Sequence, residues 1–279
     1  MAFKKMHPFV KWAGGKKQLL DKLYNRTPNS FGTYYEPFIG GGAMLFDLRP
    51  EKAVVSDVNE QLINTYLQIQ KDARTVIRYV NELDEGPCDK DYYFAMRDKY
   101  NEKIASHQLD AECAALMIWI NKHCFNGLYR VNKKGLFNVP YNNKQLGKSI
   151  EEANIMSIGY YLENNKIEIK CQDFEETCEG VKKGDFVYFD SPYLPVSDTA
   201  RFTDYTKDGF TMDDHERLAK LYKRLDALGA KVMLSNHDVD LVYELYDGYK
   251  IEQVDVKSAI NSDASKRTGK EVIITNYEV

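Results

Sequence analysis

The segment Asp185-Phe186-Val187-Tyr188-Phe189 is a hydrophobic run too short for a helix and rich in aromatic and β-branched residues. It reads as a buried strand, and a buried strand needs a sheet around it. The run ends at once in Asp190-Ser191-Pro192-Tyr193. Pro192 biases Ser191 towards an extended conformation. A carboxylate, a carbonyl and an aromatic ring therefore project together from the carboxyl end of the strand, where ligands bind in open α/β sheets. An acid–X–Pro–aromatic turn suits the grip of a planar base by its exocyclic amino group. Asp190 accepts one N–H, the Ser191 carbonyl accepts the second, and the Tyr193 ring stacks on the base.

The chain has 279 residues, 43% of them hydrophobic, which predicts one large domain or one domain with an insertion. Its formal net charge is -4, so any hold on nucleic acid has to come from a local patch. The five cysteines, Cys88, Cys113, Cys124, Cys171 and Cys178, form no CxxC and have no zinc spacing, and reduced thiols and no metal are expected. The start, Met-Ala-Phe-Lys-Lys-Met-His-Pro, lacks the apolar core of a signal peptide, and no run of about 18 apolar residues follows. The expectation is a soluble cytoplasmic protein without membrane contact.

Hydrophobic periodicity predicts a loop over residues 8–16 and then a helix to about Tyr24. A strand Tyr34–Ile39 runs into Gly40-Gly41-Gly42 and a helix Ala43–Leu48. A strand Lys52–Asp57 ends in an acid, and a helix runs from Asn59 to about Leu83. The α/β rhythm then stops. Helices are expected around Tyr92–Lys103 and Ala111–His123, and a hairpin over Leu128–Val139 with its turn at Asn132–Gly135. The rhythm returns with a helix Ile150–Leu162, strands Lys166–Lys170 and Asp185–Asp190, a helix Met212–Leu228 and a strand Lys231–Ser235. Two antiparallel strands, Tyr249–Val256 and Glu271–Tyr277, close the chain. The expected organisation is a sheet-based core split into residues 1–65 and 151–279 by an insertion over 66–150.

Three strand tips carry acids: Asp57, Asp173 (followed by Phe174) and Asp190. A glycine turn lets a ligand approach the backbone, and an acid at the next strand's tip can accept from ribose hydroxyls. Neither GxGxxG nor a Walker A loop is present. From Cys113 to Ile150 there is no Asp or Glu, whereas Lys122, Arg130, Lys133, Lys134, Lys144 and Lys148 alternate with Phe125, Tyr129, Phe137 and Tyr141. That pattern suits phosphate and groove contact. Arg130 could reach guanine bidentately, and Phe125 or Tyr129 could wedge where a base leaves the stack. The polar, basic stretch Ser258–Lys270 offers a second phosphate contact or a loop.

Taken together, Phe9–Lys16, Glu36–Ala43, Ser56-Asp57, Phe125–Arg130, Phe137–Tyr141, Asp173-Phe174 and Asp190–Tyr193 resemble the motifs of the DNA adenine methyltransferase (Dam) family in the family's order, over nearly the whole chain. The resemblance implies a Rossmann-like methyltransferase fold, α/β, with a mixed, mostly parallel sheet flanked by helices, a C-terminal antiparallel hairpin and an inserted DNA-recognition domain. It implies transfer of methyl from S-adenosylmethionine, leaving S-adenosylhomocysteine, to adenine N6 in double-stranded DNA, commonly at GATC, by a bacterial or phage-encoded monomer. Trp12, Lys16, Phe38, Gly40, Asp57, Asp173 and Phe174 would surround S-adenosylmethionine. Lys11, Phe125, Asn126, Leu128, Arg130 and Pro140 would face DNA, with Phe125 stacking or intercalating. Asp190, Ser191, Pro192 and Tyr193 would be catalytic.

One position departs from the family. Its usual tetrapeptide is Asp-Pro-Pro-Tyr, and this chain has Ser191 second. Ser keeps the backbone carbonyl and gives up the fixed φ. Two other readings use the same residues: a methyltransferase acting on cytosine amino groups, RNA or protein, and a non-catalytic DNA-binding relic.

Overall fold

The computed structural model describes residues 6–16, 19–144, 147–195, 209–257 and 268–278. The described helices are α1 (Leu20–Tyr24), α2 (Ala43–Leu48), α3 (Glu60–Asp84), α4 (Lys90–Ala105), α5 (Ala111–His123), α6 (Glu152–Asn164), α7 (Phe174–Thr177), α8 (Met212–Leu228) and α9 (Asp240–Leu245). The strands are β1 (Tyr34–Glu36), β2 (Lys52–Asp57), β3 (Lys166–Cys171), β4 (Phe186–Phe189), β5 (Lys231–His237), β6 (Lys250–Lys257) and β7 (Thr268–Thr275).

These seven strands form one sheet in the order β3-β2-β1-β4-β5-β7-β6. β1 pairs in parallel with β2 and β4, and β4 with β5. β7 pairs antiparallel with β5 and β6. The architecture is thus the expected mixed, mostly parallel sheet flanked by helices. Among the described residues no helix is long and apolar enough to cross a membrane.

The chain divides into two compact units. One comprises Met1–Gly15, Ile39–Glu51 and Ser56–Cys171, the other Lys16–Phe38, Lys52–Val55 and Gln172–Val279. In the first, α5 buries nearly every residue from Cys113 to His123, with Trp119 fully enclosed. A helix apolar on all sides has to run through a core rather than over one. α3 starts where Asn59 accepts from the Leu62 amide and breaks at Asp72, whose φ of -160° is not helical. The Asp72 carboxylate accepts from the Thr75 hydroxyl and from the amides of Arg74 and Thr75, so it caps the restarted helix. The hairpin exists in outline. Val131 bridges Phe137, Cys124 bridges Tyr141, and the Gly135 amide donates to the Asn132 carbonyl across the turn.

In the second unit β4 is buried along its whole length. Asp185 ties down its entrance, accepting from the amides of Thr33 and Lys182. Alternate strand residues (Tyr35, Val187, Phe189, Val232, Leu234) pack with Leu218, Leu221, Tyr222 and Leu225 of α8 in one hydrophobic cluster. α8 opens with a reciprocal capping box between Thr211 and Asp214.

Several boundaries differ from those expected. β1 stops at Glu36 because Pro37 has no N–H for the ladder. The short α7 and α9 and the Asp72 break carry too few periodic residues to be seen in sequence. The first helix is described only from Leu20, and most of Ser258–Lys270, namely residues 258–267, lies outside the described residues; Lys270 belongs to β7.

Candidate active site

β4 and β5 run in parallel with Phe189 opposite Leu234, which brings Asp190 level with Ser235. The Ser235 hydroxyl donates to Asp190 Oδ1 at 3.3 Å. Asp190 accepts but cannot donate, so the Tyr188 hydroxyl, 3.0 Å from Ser235 Oγ, donates to Ser235. Lys16 Nζ lies 2.6 Å from the same Oδ1 and 4.4 Å from the centre of the Tyr193 ring, in cation–π range. Among the described residues no hydrogen bond reaches Oδ2. Burial raises the Asp190 pKa, and the charge of Lys16 opposes the rise.

Tyr193 is held at both ends. Its hydroxyl donates to Glu271 at 2.8 Å, and its ring meets His237 edge-on. The next residue is fixed too. The Leu194 amide donates to Asn236, and His237 Nδ1 donates to the Leu194 carbonyl at 2.7 Å. Ser191 is buried, and its hydroxyl has no partner among the described residues.

Asp173 caps α7 by accepting from the Glu175 amide, and the same Oδ1 takes Arg217 at 2.9 Å. Arg217 also pairs with Glu175 and Asp214 and lies over the Phe174 ring. Phe38 stacks on Phe174 at 5.4 Å, with Phe210 edge-on to Phe38. Arg217 thus joins Asp173 to the Phe174 ring, against which Phe38 also packs.

In the other unit Asp57 ends β2 and accepts from the amides of Gly40 and Asn59. Burial raises its pKa, and these amides and that of Val58 oppose the rise. Gly40 has φ +46°, and a Cβ there would stand 2.7 Å from the Trp12 ring. Only glycine fits this turn. Trp12 itself stacks on Tyr129 at 5.4 Å.

The expected DNA-facing residues share this unit. Asn121 joins Lys11 to the turn: it accepts from the Lys11 amide at 2.8 Å and donates to the carbonyls of Lys11 and Gly127. The Phe125 amide donates to the Pro140 carbonyl. Phe125, Asn126, Leu128, Arg130 and Pro140 are all exposed, and Asn126 takes the left-handed φ of +57°. Arg130 Nε donates to Asn138. Of the two candidate wedges, Phe125 is 50% exposed, whereas Tyr129 is packed against Trp12 and Phe137. Phe125 is the exposed one of the two. Sequence reading did not single out Asn121, Ser235, Glu271 or Arg217, because each acts by touching a residue far away in sequence. Among the described residues no group of three or more His, Cys, Asp or Glu is arranged to hold a metal ion.

β4 thus ends in a carboxylate, a backbone carbonyl and an aromatic ring anchored through its hydroxyl. The profile of the D12 class N6 adenine-specific DNA methyltransferases matches residues 12–260, and the chain belongs to this family. Its members act on DNA and use S-adenosylmethionine. The chain is 40% identical to the type II methyltransferase M1.LlaDCHI of Lactococcus lactis subsp. cremoris over 98% of its own length and 96% of the relative's. It is 41% identical to the type II methyltransferase M.MjaIII of Methanocaldococcus jannaschii, over 97% and 99%. It is 29% identical to the DNA adenine methylase of Escherichia coli K12, over 99% and 96%.

Two outcomes follow from this geometry. Ser191→Ala removes a buried hydroxyl that has no partner among the described residues, so it should raise stability to urea by about 1 kcal/mol. Lys16→Met removes the charge that opposes the rise in the Asp190 pKa. Methyl transfer is expected to need the carboxylate and to fail as pH falls through that pKa. The acid limb of kcat, measured at saturating methyl donor, should therefore move to higher pH in Lys16→Met.

Proposed function

We propose that this enzyme is a monomer that methylates adenine N6 at GATC in double-stranded DNA after rotating the target base out of the helix. The observation that carries the reading is Asp190-Ser191-Pro192-Tyr193 at the end of β4, with Asp190 Oδ2 unengaged among the described residues and Tyr193 anchored. The likeness of Phe125–Arg130 and Phe137–Tyr141 to the Dam motifs supports GATC.

The adenine amino nitrogen is a poor nucleophile because its lone pair is delocalised into the ring. Asp190 Oδ2 and the Ser191 carbonyl accept its two hydrogens and draw the lone pair out of conjugation. Tyr193 stacks on the base and fixes its plane, and rotation out of the helix costs a few kcal/mol. S-adenosylmethionine, when bound, supplies an electrophilic methyl carbon. Trp12, Lys16, Phe38, Gly40, Asp57, Asp173 and Phe174 would hold it, Asp57 as an acceptor for ribose hydroxyls and Asp173 with Phe174 as acceptor and aromatic face for the adenine. Proximity and fixed electrostatics then carry the transfer, and Asp190 receives the proton that the amino group sheds. Lys11, Phe125, Asn126, Leu128, Arg130 and Pro140 face DNA, with Phe125 wedged at the vacated position and Arg130 reading a guanine edge.

Tritiated methyl transfer to a GATC duplex tests the reading, run beside duplexes with one base pair changed and one fully methylated. Label is expected on adenine of the unmodified GATC duplex alone. Label on cytosine, or equal label on all duplexes, would overturn it. Asp190→Ala should abolish transfer and leave DNA affinity nearly unchanged.

Arg130→Ala should relax discrimination at one base pair by about 1–3 kcal/mol, read as the ratio of kcat/KM on cognate and altered duplexes. A uniform loss on every duplex would make Arg130 a phosphate contact.

A further inference from the structure

At the root of the hairpin, four polar side chains form a line from a carboxylate to a thiol. The Ser149 hydroxyl donates to Asp84 Oδ1 at 2.5 Å, and the Ser149 amide donates to Oδ2 at 2.9 Å. His123 Nε2 lies 2.9 Å from Ser149 Oγ, and His123 Nδ1 lies 3.1 Å from Cys88 Sγ. His123 is almost completely buried, with its ring stacked on Trp119 at 4.2 Å. Cys88 is partly exposed and has a left-handed φ of +51°.

The acid end sets the direction of the whole chain. A carboxylate only accepts, so the Ser149 proton points to Asp84. Ser149 Oγ then accepts, so His123 carries its proton on Nε2. That leaves a lone pair on Nδ1 facing Cys88 Sγ. Burial lowers the His123 pKa to about 4, so the ring is neutral near neutral pH and a weak base, one that takes the thiol proton as the sulfur bond forms and does not hold a standing thiolate. The charged and titratable groups around it are Asp84, Lys122 and Cys88, with Tyr92, Asp89 and Tyr141 next to Cys88. A thiol, a neutral imidazole and an orienting acid are the parts of a base-assisted sulfur nucleophile.

We propose that Cys88 is a nucleophilic thiol and a covalent modification site for soft electrophiles, with His123 as its general base and Ser149 and Asp84 as positioning residues. With iodoacetamide, a bond forms between Cys88 Sγ and the methylene carbon, and the carbon–iodine bond breaks. Iodide leaves with the bonding pair, and the thiol proton passes to His123 Nδ1. The site is coupled to the hairpin. The Tyr141 hydroxyl donates to the Cys88 carbonyl at 2.6 Å, and Tyr141 bridges Cys124 at the hairpin's base. An adduct on Cys88 therefore loosens the segment that carries Arg130. This consequence rests on the proposed role of the hairpin in reading DNA.

The test is limited alkylation of the native protein with iodoacetamide, with each cysteine followed by peptide mass spectrometry. Cys171 is the internal comparison, because it is more exposed and its thiol is directed at the Val58 carbonyl rather than at a histidine. Cys88 should be labelled roughly tenfold faster than Cys171, since thiol reactivity follows microenvironment and not exposure alone. An equal or slower rate overturns the proposal. Ser149→Ala breaks the line behind His123 and should slow Cys88 several-fold without changing Cys171. Asp84→Asn serves the same end if Ser149→Ala fails to fold, and an unchanged Cys88 rate in the folded variant overturns the base assignment. The labelling ratio reads the thiol whatever the hairpin binds. A separate measurement, DNA affinity of the Cys88-alkylated protein, should fall while affinity for S-adenosylhomocysteine holds; unchanged DNA affinity overturns the coupling.

Discussion

A carboxylate at the end of a completely buried strand has to be compensated, and much of the second unit is arranged to do so. β4 buries all four of its residues and delivers Asp190 at its carboxyl end. A charge there is costly unless it is paired and hydrogen-bonded. β5 supplies Ser235 at the register position beside Asp190, and the buried Tyr188 supplies the next donor back. Lys16 supplies the charge and touches the Tyr193 ring in the same reach. The antiparallel register of β5 and β7 sets His237 opposite Glu271, and both meet Tyr193. One electrostatic demand thus orders the acid, the ring and the strands that follow.

The first unit works through single side chains that satisfy backbone groups. Asn121 lies on the apolar α5 and spends its side chain on Lys11 and Gly127, so that a residue near the start of the chain and the turn after α5 share one support. Asp57 plays the same part for the glycine turn, because its oxygens take the amides of Gly40 and Asn59. In both places a single polar side chain replaces a ladder of backbone hydrogen bonds in a stretch that has no regular structure. Buried backbone donors have to be satisfied by some means. α5 then carries His123 two residues beyond Asn121, so the same helix supports the turn that follows it and the thiol–imidazole pair.

What could be read from sequence was whatever is local or periodic. β2, α2, α5 and α8 have the residues expected, because apolar spacing and caps act within a few residues. The acid–X–Pro–aromatic turn could be read because its groups sit on four adjacent residues. Ser235, Glu271, Asn121 and Arg217 could not, since nothing within their own segments distinguishes them from other polar residues. The Asp72 break in α3 was hidden for another reason: the apolar pattern continues across it from Ile69 to Val76, and only the carboxylate's competition for backbone amides reveals it. The strand expected to reach Ile39 ends early because a missing N–H at Pro37 outweighs a hydrophobic pattern.

Ser191 shows how much of the catalytic turn depends on its own sequence. Proline at this position would fix φ and bring no donor, whereas serine brings a hydroxyl into a buried place that offers it no acceptor among the described residues. The conformation of the turn nevertheless has other determinants. Pro192 restricts Ser191, the Leu194 amide is held by Asn236, its carbonyl by His237, and the Tyr193 hydroxyl by Glu271. With the residues that follow it fixed, the direction of the Ser191 carbonyl depends little on the ring that proline would supply. In the proposed reaction the group that acts at this position is the backbone carbonyl, so serine in place of proline bears first on stability.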